Sequence, residues 1–315
     1  MNEIRGTSMN PEATKSLEEA IQKTLSTHAK NDKSFLWMAY WVIFDRQADP
    51  EGLDSWLGEL RAGVSRAAVI KKMTESNEFQ ARLPDGKVGN SLLHKLHSAR
   101  MKMVKTLLPP AKVVLDLGGY SASDPKGALL QLGYSYVPEK LYILDFHPEK
   151  MMFPGPEWSK QVKYKDCEIN YVYGSMTDLS LFEDNYFDLI WSGESIEHIT
   201  VEDAEKVLSK AYKLLKPGGK LALDTPNRRA TKLQVPDGYI HPEHKLEYYH
   251  KDLCQLLEKH NFKIIQSKGL IDLSKSIDTS SMDHFNEEFL NSENLNDNPD
   301  KSYCFYICCM RGEDS

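Results

Sequence analysis

The chain has 315 residues, of which 41% are hydrophobic, and it carries a formal net charge of −7. That length favours one large and one small domain, and the apolar share suffices for packed cores, which excludes wholesale disorder. An acidic chain lacks the cationic surplus typical of nucleic-acid binders, which counts against nucleic acid as a partner.

Cysteine usage and the lack of long apolar runs predict a cytoplasmic protein. No C-x-x-C pair occurs, so we expect buried reduced thiols rather than disulfides or a zinc cluster. Residues 1–20 are polar and acidic, without the apolar core of a signal peptide. No stretch approaches the roughly eighteen apolar residues of a membrane span. The oligomeric state stays open. The five cysteines are Cys167, Cys254, Cys304, Cys308 and Cys309.

The first third of the chain predicts a polar lead-in over residues 1–33 and a small all-α domain over 34–84. Apolar residues recur there at helical spacing, and Asp49 before Pro50 and Ser65 before an apolar run are typical helix N-caps. The aromatic cluster of this segment is expected to be packing rather than a ligand site. Its predicted core consists of Trp37, Trp41, Phe44, Trp56 and Leu57.

This segment resembles a helical domain of unknown function that recurs in bacterial secreted, surface and glycan-assembly proteins. The resemblance rests on the run Arg46-x-x-Asp49-Pro50-x-Gly52-Leu53-x-x-Trp56, followed by Ser76-x-Glu78-Phe79. It names no chemistry, and it implies only a setting among bacterial glycans.

A linker helix is predicted within residues 85–110, where SLLHKLHSARMKMVKTLL is amphipathic and is stopped by two prolines. From residue 111 to residue 315, strand and helix patterns alternate, which indicates an α/β domain with a mostly parallel sheet. A polar, Asn/Asp-rich insertion at about 274–302 precedes the last strand and is expected to form a lid.

The expected ligand-binding edge of this sheet carries a distinctive series of residues. In a doubly wound sheet, ligands bind beyond the carboxyl ends of the strands. The first predicted strand ends in Asp116-Leu117-Gly118-Gly119, where small residues allow close approach of a ligand. The second ends in Asp145, whose carboxylate can accept hydrogen bonds from ribose hydroxyls.

Residues 111–315 resemble class I S-adenosylmethionine-dependent methyltransferases. The motifs VLDLGG, YILDF, SMTDL, FDLIWSGESIEHI and LLKPGGKLALDTPN occur in the family's order. The family implies a Rossmann-like, seven-stranded sheet with an antiparallel last strand. The glycine loop departs from the family, since Tyr120, Ser121 and Ser123 follow Gly119. The implied cofactor-binding residues are Asp116, Gly118, Gly119, Asp145, Phe146, Met176, Asp178 and Ser192.

The segment after the fourth predicted strand suggests a cation site. If a helical turn starts there, Glu194, Glu197 and His198 share one face, and His244 or His241 supplies a fourth ligand, with His244 preferred. E-x-x-E-H together with His244-Lys245-Leu246-Glu247-Tyr248 resembles metal-dependent O-methyltransferases that act on RNA-terminal ribose or on catechols. That resemblance implies Mg²⁺ or Mn²⁺ on Glu194, Glu197, His198 and His244, holding a vicinal diol.

Other roles for these residues stay open. Without a metal, His198 could act as a general base oriented by Glu197, or both could be purely structural. Arg228 and Arg229 either hold an anionic substrate or are solvated. Arg100, in the linker helix, could reach the cofactor's carboxylate.

The sequence as a whole predicts an S-adenosylmethionine-dependent O-methyltransferase that modifies a sugar hydroxyl of a bacterial glycan or its precursor. The alternatives are a catechol-like small molecule or an RNA end as acceptor, or a protein that binds the cofactor without turnover. RNA is disfavoured, because binding its backbone needs clustered cationic side chains.

Overall fold

The chain divides into two compact units between Leu93 and His94. Arg46, Asp49 and the lead-in up to residue 30 lie outside the described residues, as does the side chain of Trp41. None of the described helices is long and apolar enough to cross a membrane. The computed structural model describes residues 31–44, 48, 50–76, 78–79, 92–151, 156–241 and 243–312.

The first unit is helical over its described part. Its helices are Asp32–Ala39, Pro50–Arg61 and Arg66–Thr74, with a π-helical turn at Tyr40–Phe44. The predicted Ser65 cap is confirmed, because its hydroxyl accepts the Ala68 N–H at 3.2 Å. Phe44 is buried, Trp56 and Leu57 pack partly buried against the core, and Trp37 is half-buried. The core also contains Phe35, Leu36, Val69, Ile70 and Met73.

The described residues of the second unit form one eight-stranded sheet. The strands are β1 Val113–Leu117, β2 Lys140–Asp145, β3 Gln161–Tyr164, β4 Cys167–Tyr173, β5 Phe187–Gly193, β6 Leu215–Pro226, β7 Phe262–Asp272 and β8 Ser302–Arg311. Their order in the sheet is β3-β4-β2-β1-β5-β6-β8-β7. Strand β8 runs antiparallel to both neighbours, β3 runs antiparallel to β4, and the other pairs are parallel.

This architecture confirms the predicted Rossmann-like α/β class, and all seven predicted strands are present. The sheet has one strand more than expected, because β3 forms a hairpin with β4 through Lys165 at φ 53°. The sequence of β3, QVKY, offers four residues and only half-buried apolar side chains. Such a short edge strand has no pattern that separates it from a loop.

Helices cover the sheet and follow the expected amphipathic pattern. Val201–Leu214 begins at Thr200, whose hydroxyl accepts the Asp203 N–H at 3.2 Å, and buries one side on the core. The other helices are Leu92–Leu107, Ala128–Gln131, Arg228–Gln234, His250–Lys259, Ser274–Thr279 and Phe285–Asn291, with 3-10 turns at Pro148–Lys150, Ile196–His198 and Pro299–Lys301.

The insertion at 274–302 contains two short helices rather than an open loop. Glu288 accepts the Lys275 N–H at 2.7 Å and the Ser276 N–H at 2.8 Å, which caps the first helix. Phe289 is buried and its ring lies 4.8 Å from that of Tyr303. The segment that we expected to form a lid is therefore packed onto β8.

Candidate active site

The turn after β1 requires glycine at two successive positions. Gly118 has φ +79°, and a Cβ placed there would lie 2.9 Å from the Ser195 hydroxyl oxygen. A Cβ on Gly119 would lie 2.0 Å from Oδ2 of Asp116, closer than any real contact. Glycine is therefore required at both positions by the neighbouring Ser195 and Asp116 side chains, and a role of this turn in cofactor binding stays a prediction.

Beneath this turn lies the carboxyl group of Asp116, which is 1% exposed. Its Oδ2 has no hydrogen-bond partner among the described residues. Burial, together with the nearby Asp145, raises the pKa of Asp116 to about 8. An unpaired buried polar atom costs about 1–3 kcal/mol, so this oxygen fits a site completed by a donor on a ligand.

Asp145, at the end of β2, is held by backbone groups. Oδ2 accepts the Tyr120 N–H at 3.0 Å and Oδ1 accepts the Phe146 N–H at 2.7 Å. Burial raises the pKa of Asp145 to about 6. Tyr120 thus contributes its backbone N–H, which any residue offers, so the missing family glycine leaves this contact intact. The carboxylate retains acceptor sites for hydroxyl groups.

One cleft of about 420 Å³ is lined both by residues predicted to bind the cofactor and by a residue predicted to act on the substrate. Gly118, Asp145, Phe146 and Met176 line one part of it, and His198 lines another. Phe146 is an apolar side chain that is 51% exposed, as a surface for a flat aromatic ligand would be.

Four of the predicted cofactor residues are not in the lining of this cleft: Asp116 and Gly119, described above, and Asp178 and Ser192. The Asp178 side chain is exposed, and its Oδ1 accepts the Ser180 N–H at 3.1 Å and the Ser180 hydroxyl at 2.6 Å. Ser192 is 4% exposed within β5. Their roles at the cofactor stay predictions.

The backbone after β5 does not form the expected helical face. Glu194 adopts φ +49°, an unusual conformation for a residue with a side chain, and its N–H donates to the Asp224 carbonyl at 2.9 Å. The 3-10 turn begins only at Ile196. Glu194 therefore lies outside the turn that carries Glu197 and His198, which corrects the predicted i, i+3, i+4 arrangement.

Arg100 binds protein carboxylates instead of remaining free for a cofactor. Its Nε and Nη2 donate to Asp224 at 2.6 and 3.1 Å, and its Nη1 lies 3.0 Å from Oε2 of Glu194. The helix that we predicted as a linker thus supplies a cation to the site. The bidentate pair with buried Asp224 fixes the guanidinium, which in turn holds Glu194.

Glu197 is fully buried and, among the described residues, does not belong to the cleft lining. Oε2 accepts the Thr225 hydroxyl at 3.0 Å, while Oε1 has no partner in the described structure. Burial and Glu194 hold the pKa of this carboxyl well above its usual range. A carboxyl group that is enclosed in this way is poorly placed either to ligate a cation or to orient His198.

Three histidines meet where the two carboxylates were expected. One ring nitrogen each of His198, His241 and His244 lies within 4.8 Å of the others, a spacing that could hold a metal ion. The ring centroids of His198 and His244 are 4.9 Å apart. The sequence left His241 and His244 as alternatives, and the structure brings both to His198.

Burial keeps two of these imidazoles neutral. It lowers the pKa of His198 to about 4 and that of His241 to about 3. The backbone of Glu243 opposes the lowering of the His198 pKa, and Nδ1 of His241 accepts the Glu243 N–H at 3.1 Å. Neutral imidazole is the form that binds metals, and a base with so low a pKa takes protons weakly at neutral pH.

Glu247 positions the third histidine and received no role from the sequence. Its Oε1 lies 2.7 Å from Nδ1 of His244 and also accepts the Ile240 N–H at 2.7 Å, while Oε2 accepts the Thr231 hydroxyl. A carboxylate on one ring nitrogen leaves the other nitrogen as a metal-binding lone pair. The signal was present as the H-x-x-E spacing of HKLEY.

The two arginines predicted for an anionic substrate serve other contacts. Arg228 donates to the carbonyls of Val235 and Pro236 at 3.2 and 3.0 Å, and its guanidinium lies over the Tyr239 ring. Arg229 pairs with Asp300. In the described part of the chain, neither arginine lines the cleft.

Comparison with known proteins found a family match within the second unit. A model of the family described as "Methyltransferase domain" matches residues 126–223, which include β2, β5 and the start of the cleft's histidine side. The chain therefore contains a methyltransferase domain. A model described as "Domain of unknown function (DUF4214)" matches residues 17–83.

Curated relatives of the methyltransferase domain act on oxygen or on nitrogen by name. A ubiquinone biosynthesis O-methyltransferase of Xanthomonas oryzae pv. oryzae is 32% identical over 140 residues, 43% of this chain and 52% of that protein. Phosphoethanolamine N-methyltransferase 2 of Caenorhabditis elegans is 46% identical over 61 residues, 19% of this chain and 13% of that protein. The chain therefore spans about half or less of these relatives. A SAM-dependent methyltransferase of Archaeoglobus fulgidus aligns with TM-score 0.46 and 18% identity over 69% of this chain and 93% of that one.

Proposed function

We propose that the chain is an O-methyltransferase that methylates a sugar hydroxyl of a bacterial glycan or its precursor. A divalent cation held by His198, His241 and His244 assists it. The observation that carries the proposal is the shared cleft, in which His198 lies with Gly118 and Asp145. Methyl transfer is an in-line displacement, so a catalyst gains most by holding donor and acceptor together.

The cofactor half of the cleft fits S-adenosylmethionine. Asp145 would accept the ribose hydroxyls, Phe146 and Met176 would cover the adenine, and the unpaired Oδ2 of Asp116 would meet the methionine moiety. When bound, the cofactor supplies an electrophilic methyl group. Gly118 lines this part of the cleft and, having no side chain, would leave room for the bound cofactor.

The histidine half fits a divalent transition metal, because a group of three imidazoles suits Zn²⁺ or Fe²⁺. A bound cation there would lower the pKa of a hydroxyl on the acceptor. The protein's own contribution is orientation, because Glu247 holds Nδ1 of His244 and would leave the other ring nitrogen for the cation.

An oxygen atom as the methyl acceptor is supported by the Xanthomonas relatives, which are named as O-methyltransferases. A sugar as the oxygen's carrier is supported only by the helical unit's resemblance to domains of bacterial surface proteins. A catechol is therefore the second acceptor to test, since it presents the same pair of adjacent oxygens.

The test uses the full chain, isotope-labelled S-adenosylmethionine, and methyl glycosides or catechol as acceptors, with each of Mn²⁺, Zn²⁺ and Mg²⁺ or with a chelator. Mass spectrometry of the product should show a methyl ether on a sugar, with loss of product in chelator and in His241→Ala. His94→Ala removes an exposed histidine and is the matched control. A methylated nitrogen, or undiminished turnover in chelator, would overturn the oxygen or the metal part respectively.

A further inference from the structure

We propose that Tyr120 and Trp158 are positioning residues for the cofactor, because their side chains hold the loop after β1 in the conformation that the cofactor binds. The loop consists of residues 120–126, and it is the segment in which this chain departs from the family's glycine-rich pattern. The inference rests on the proposed placement of S-adenosylmethionine between Gly118 and Asp145. It gives the departing side chain of Tyr120 a function of its own.

Two side-chain hydrogen bonds tie this loop to the segment that follows β2. The Tyr120 hydroxyl donates to the Pro156 carbonyl at 2.8 Å. In the opposite direction, Nε1 of Trp158 donates to the Ser121 carbonyl at 2.7 Å. Each segment thus provides one donor and one acceptor, at residues that are adjacent or nearly adjacent in sequence. We call this pair of hydrogen bonds the clamp.

The sheet anchors both partners of the clamp through two tyrosines of β4. The Tyr173 hydroxyl accepts the Trp158 N–H at 3.1 Å and donates to the Trp158 carbonyl at 3.2 Å. The Tyr171 hydroxyl donates to the Pro125 carbonyl, near the far end of the loop, at 2.9 Å. A glycine loop loses much conformational freedom when it is ordered, whereas this loop is already restrained by aromatic side chains.

The clamp bears on the cofactor through the residue that Tyr120 contacts with its main chain. The Tyr120 N–H donates to Oδ2 of Asp145 at 3.0 Å, so the position of Tyr120 sets the orientation of the carboxylate that would accept the ribose hydroxyls. A loop that is fixed before binding needs no ordering when the ligand arrives, which raises affinity. The segment that carries Trp158 also lines the cleft nearer to β2, with Phe146, Lys150 and Met151.

Tyr134 offers a matched control for the loss of a tyrosine hydroxyl. Its hydroxyl donates to the Pro109 carbonyl at 2.6 Å, which is the same pair of groups as in the Tyr120 contact. Tyr134 and Pro109 precede β2 and β1, so this contact lies beyond the amino ends of those strands, whereas the cleft lies at their carboxyl ends. If the clamp were merely structural, Tyr120→Phe and Tyr134→Phe would behave alike.

The first test is calorimetric titration of the full chain with S-adenosylhomocysteine, with the melting temperature of each variant measured beside it. We expect Tyr120→Phe and Trp158→Phe each to weaken binding about fivefold, which corresponds to the net contribution of one hydrogen bond. Tyr134→Phe should lower the melting temperature and leave the affinity unchanged.

The second test is hydrogen–deuterium exchange of the peptide that contains residues 120–126, followed by mass spectrometry. Without ligand, its amides should exchange faster in Trp158→Phe than in the wild type and in Tyr134→Phe, because the loop is no longer held. Saturating S-adenosylhomocysteine should remove most of that difference, since a ligand that binds the ordered loop favours it.

Either of two results would overturn the clamp. One is an affinity for S-adenosylhomocysteine that is unchanged in Tyr120→Phe and Trp158→Phe, with the same exchange of the loop as in the wild type. The other is an equal loss of affinity in Tyr134→Phe, which would show a general effect of stability. A wild-type chain that does not bind S-adenosylhomocysteine would refute the proposed function as well, whereas wild-type binding with unaffected variants would refute the clamp alone.

Discussion

Glu247→Gln tests whether the buried carboxylate behind His244 tunes the histidine cluster. Glutamine keeps the size of the side chain and can still accept from Nδ1 of His244 and from the Ile240 N–H through its Oε1. The substitution removes the negative charge, and the remaining neutral hydrogen bond is roughly half as strong. It also removes the nearest acidic partner of Arg228, whose Nη1 lies 3.6 Å from Oε2.

The expected magnitude follows from those contacts. Substituting the outer carboxylate of a metal-binding histidine lowers metal affinity by about 10- to 100-fold. Leaving Arg228 without its buried counter-charge should cost about 1–3 kcal/mol in the free energy of unfolding. The two effects are separable, because the first appears in a titration with Zn²⁺ or Mn²⁺ and the second in denaturant unfolding of the metal-free chain.

The assay compares metal affinity of the wild type, Glu247→Gln and the surface control Glu258→Gln, each first shown to be folded by circular dichroism. Cofactor affinity should be the same in all three, because Glu247 lies outside the cofactor half of the cleft. A folded Glu247→Gln variant with metal affinity within threefold of wild type would refute the reasoning.

Three further predictions concern the cofactor half. Gly119→Ala should abolish S-adenosylmethionine binding in a fluorescence titration and lower the melting temperature, since its Cβ would strike the Asp116 carboxyl group; unchanged binding would mean that the turn is misplaced. Cofactor affinity should be full above about pH 7 and fall about tenfold per pH unit below the pKa of Asp145, about 6, because protonation removes the ribose acceptor. The affinity of Asp145→Asn should not change with pH in this range. A wild-type affinity that is constant between pH 5 and 7 would contradict the role of Asp145. Asp116 keeps its proton up to about pH 8 in the folded state but loses it near pH 3.8 when unfolded. Its contribution to the free energy of unfolding therefore falls by about 1.4 kcal/mol per pH unit between those values. Asp116→Asn should remove this slope in denaturant unfolding at several pH values, and parallel profiles of the two proteins would contradict the assignment.

The sheet could be predicted because its strands are apolar runs of ordinary length between clear turns. The edge strand β3 was not predicted, because a four-residue segment with exposed Gln161 and Lys163 resembles a loop. The tight turn after β1 could be predicted from Gly118 and Gly119, since only glycine tolerates the contacts found there, while its role at the cofactor stays a prediction. That inference is local, and local conformation follows directly from residue type.

The substrate side was predicted only in part, because its geometry depends on tertiary contacts. A helical spacing rule placed Glu194 with Glu197 and His198, but Glu194 takes a left-handed conformation and pairs with Arg100, which lies far away in sequence. No sequence pattern around Arg100 predicts its ion pair with Glu194. His241 was named as an alternative, since a sequence shows that two histidines are near each other but not that both face a third.

The way the histidine loop attaches to its neighbour bears on how such an enzyme can change its preference during evolution. The Glu197 carbonyl accepts the N–H groups of both Lys245 and Leu246, at 2.8 and 3.2 Å, so the attachment uses main-chain atoms alone. The exposed Lys245 side chain can therefore change without loosening His244, whereas the Leu246 side chain packs against the core. A lineage could exchange Lys245 for an uncharged or acidic residue and so change the charge that lines this part of the cleft, while the main-chain attachment keeps His244 in its place.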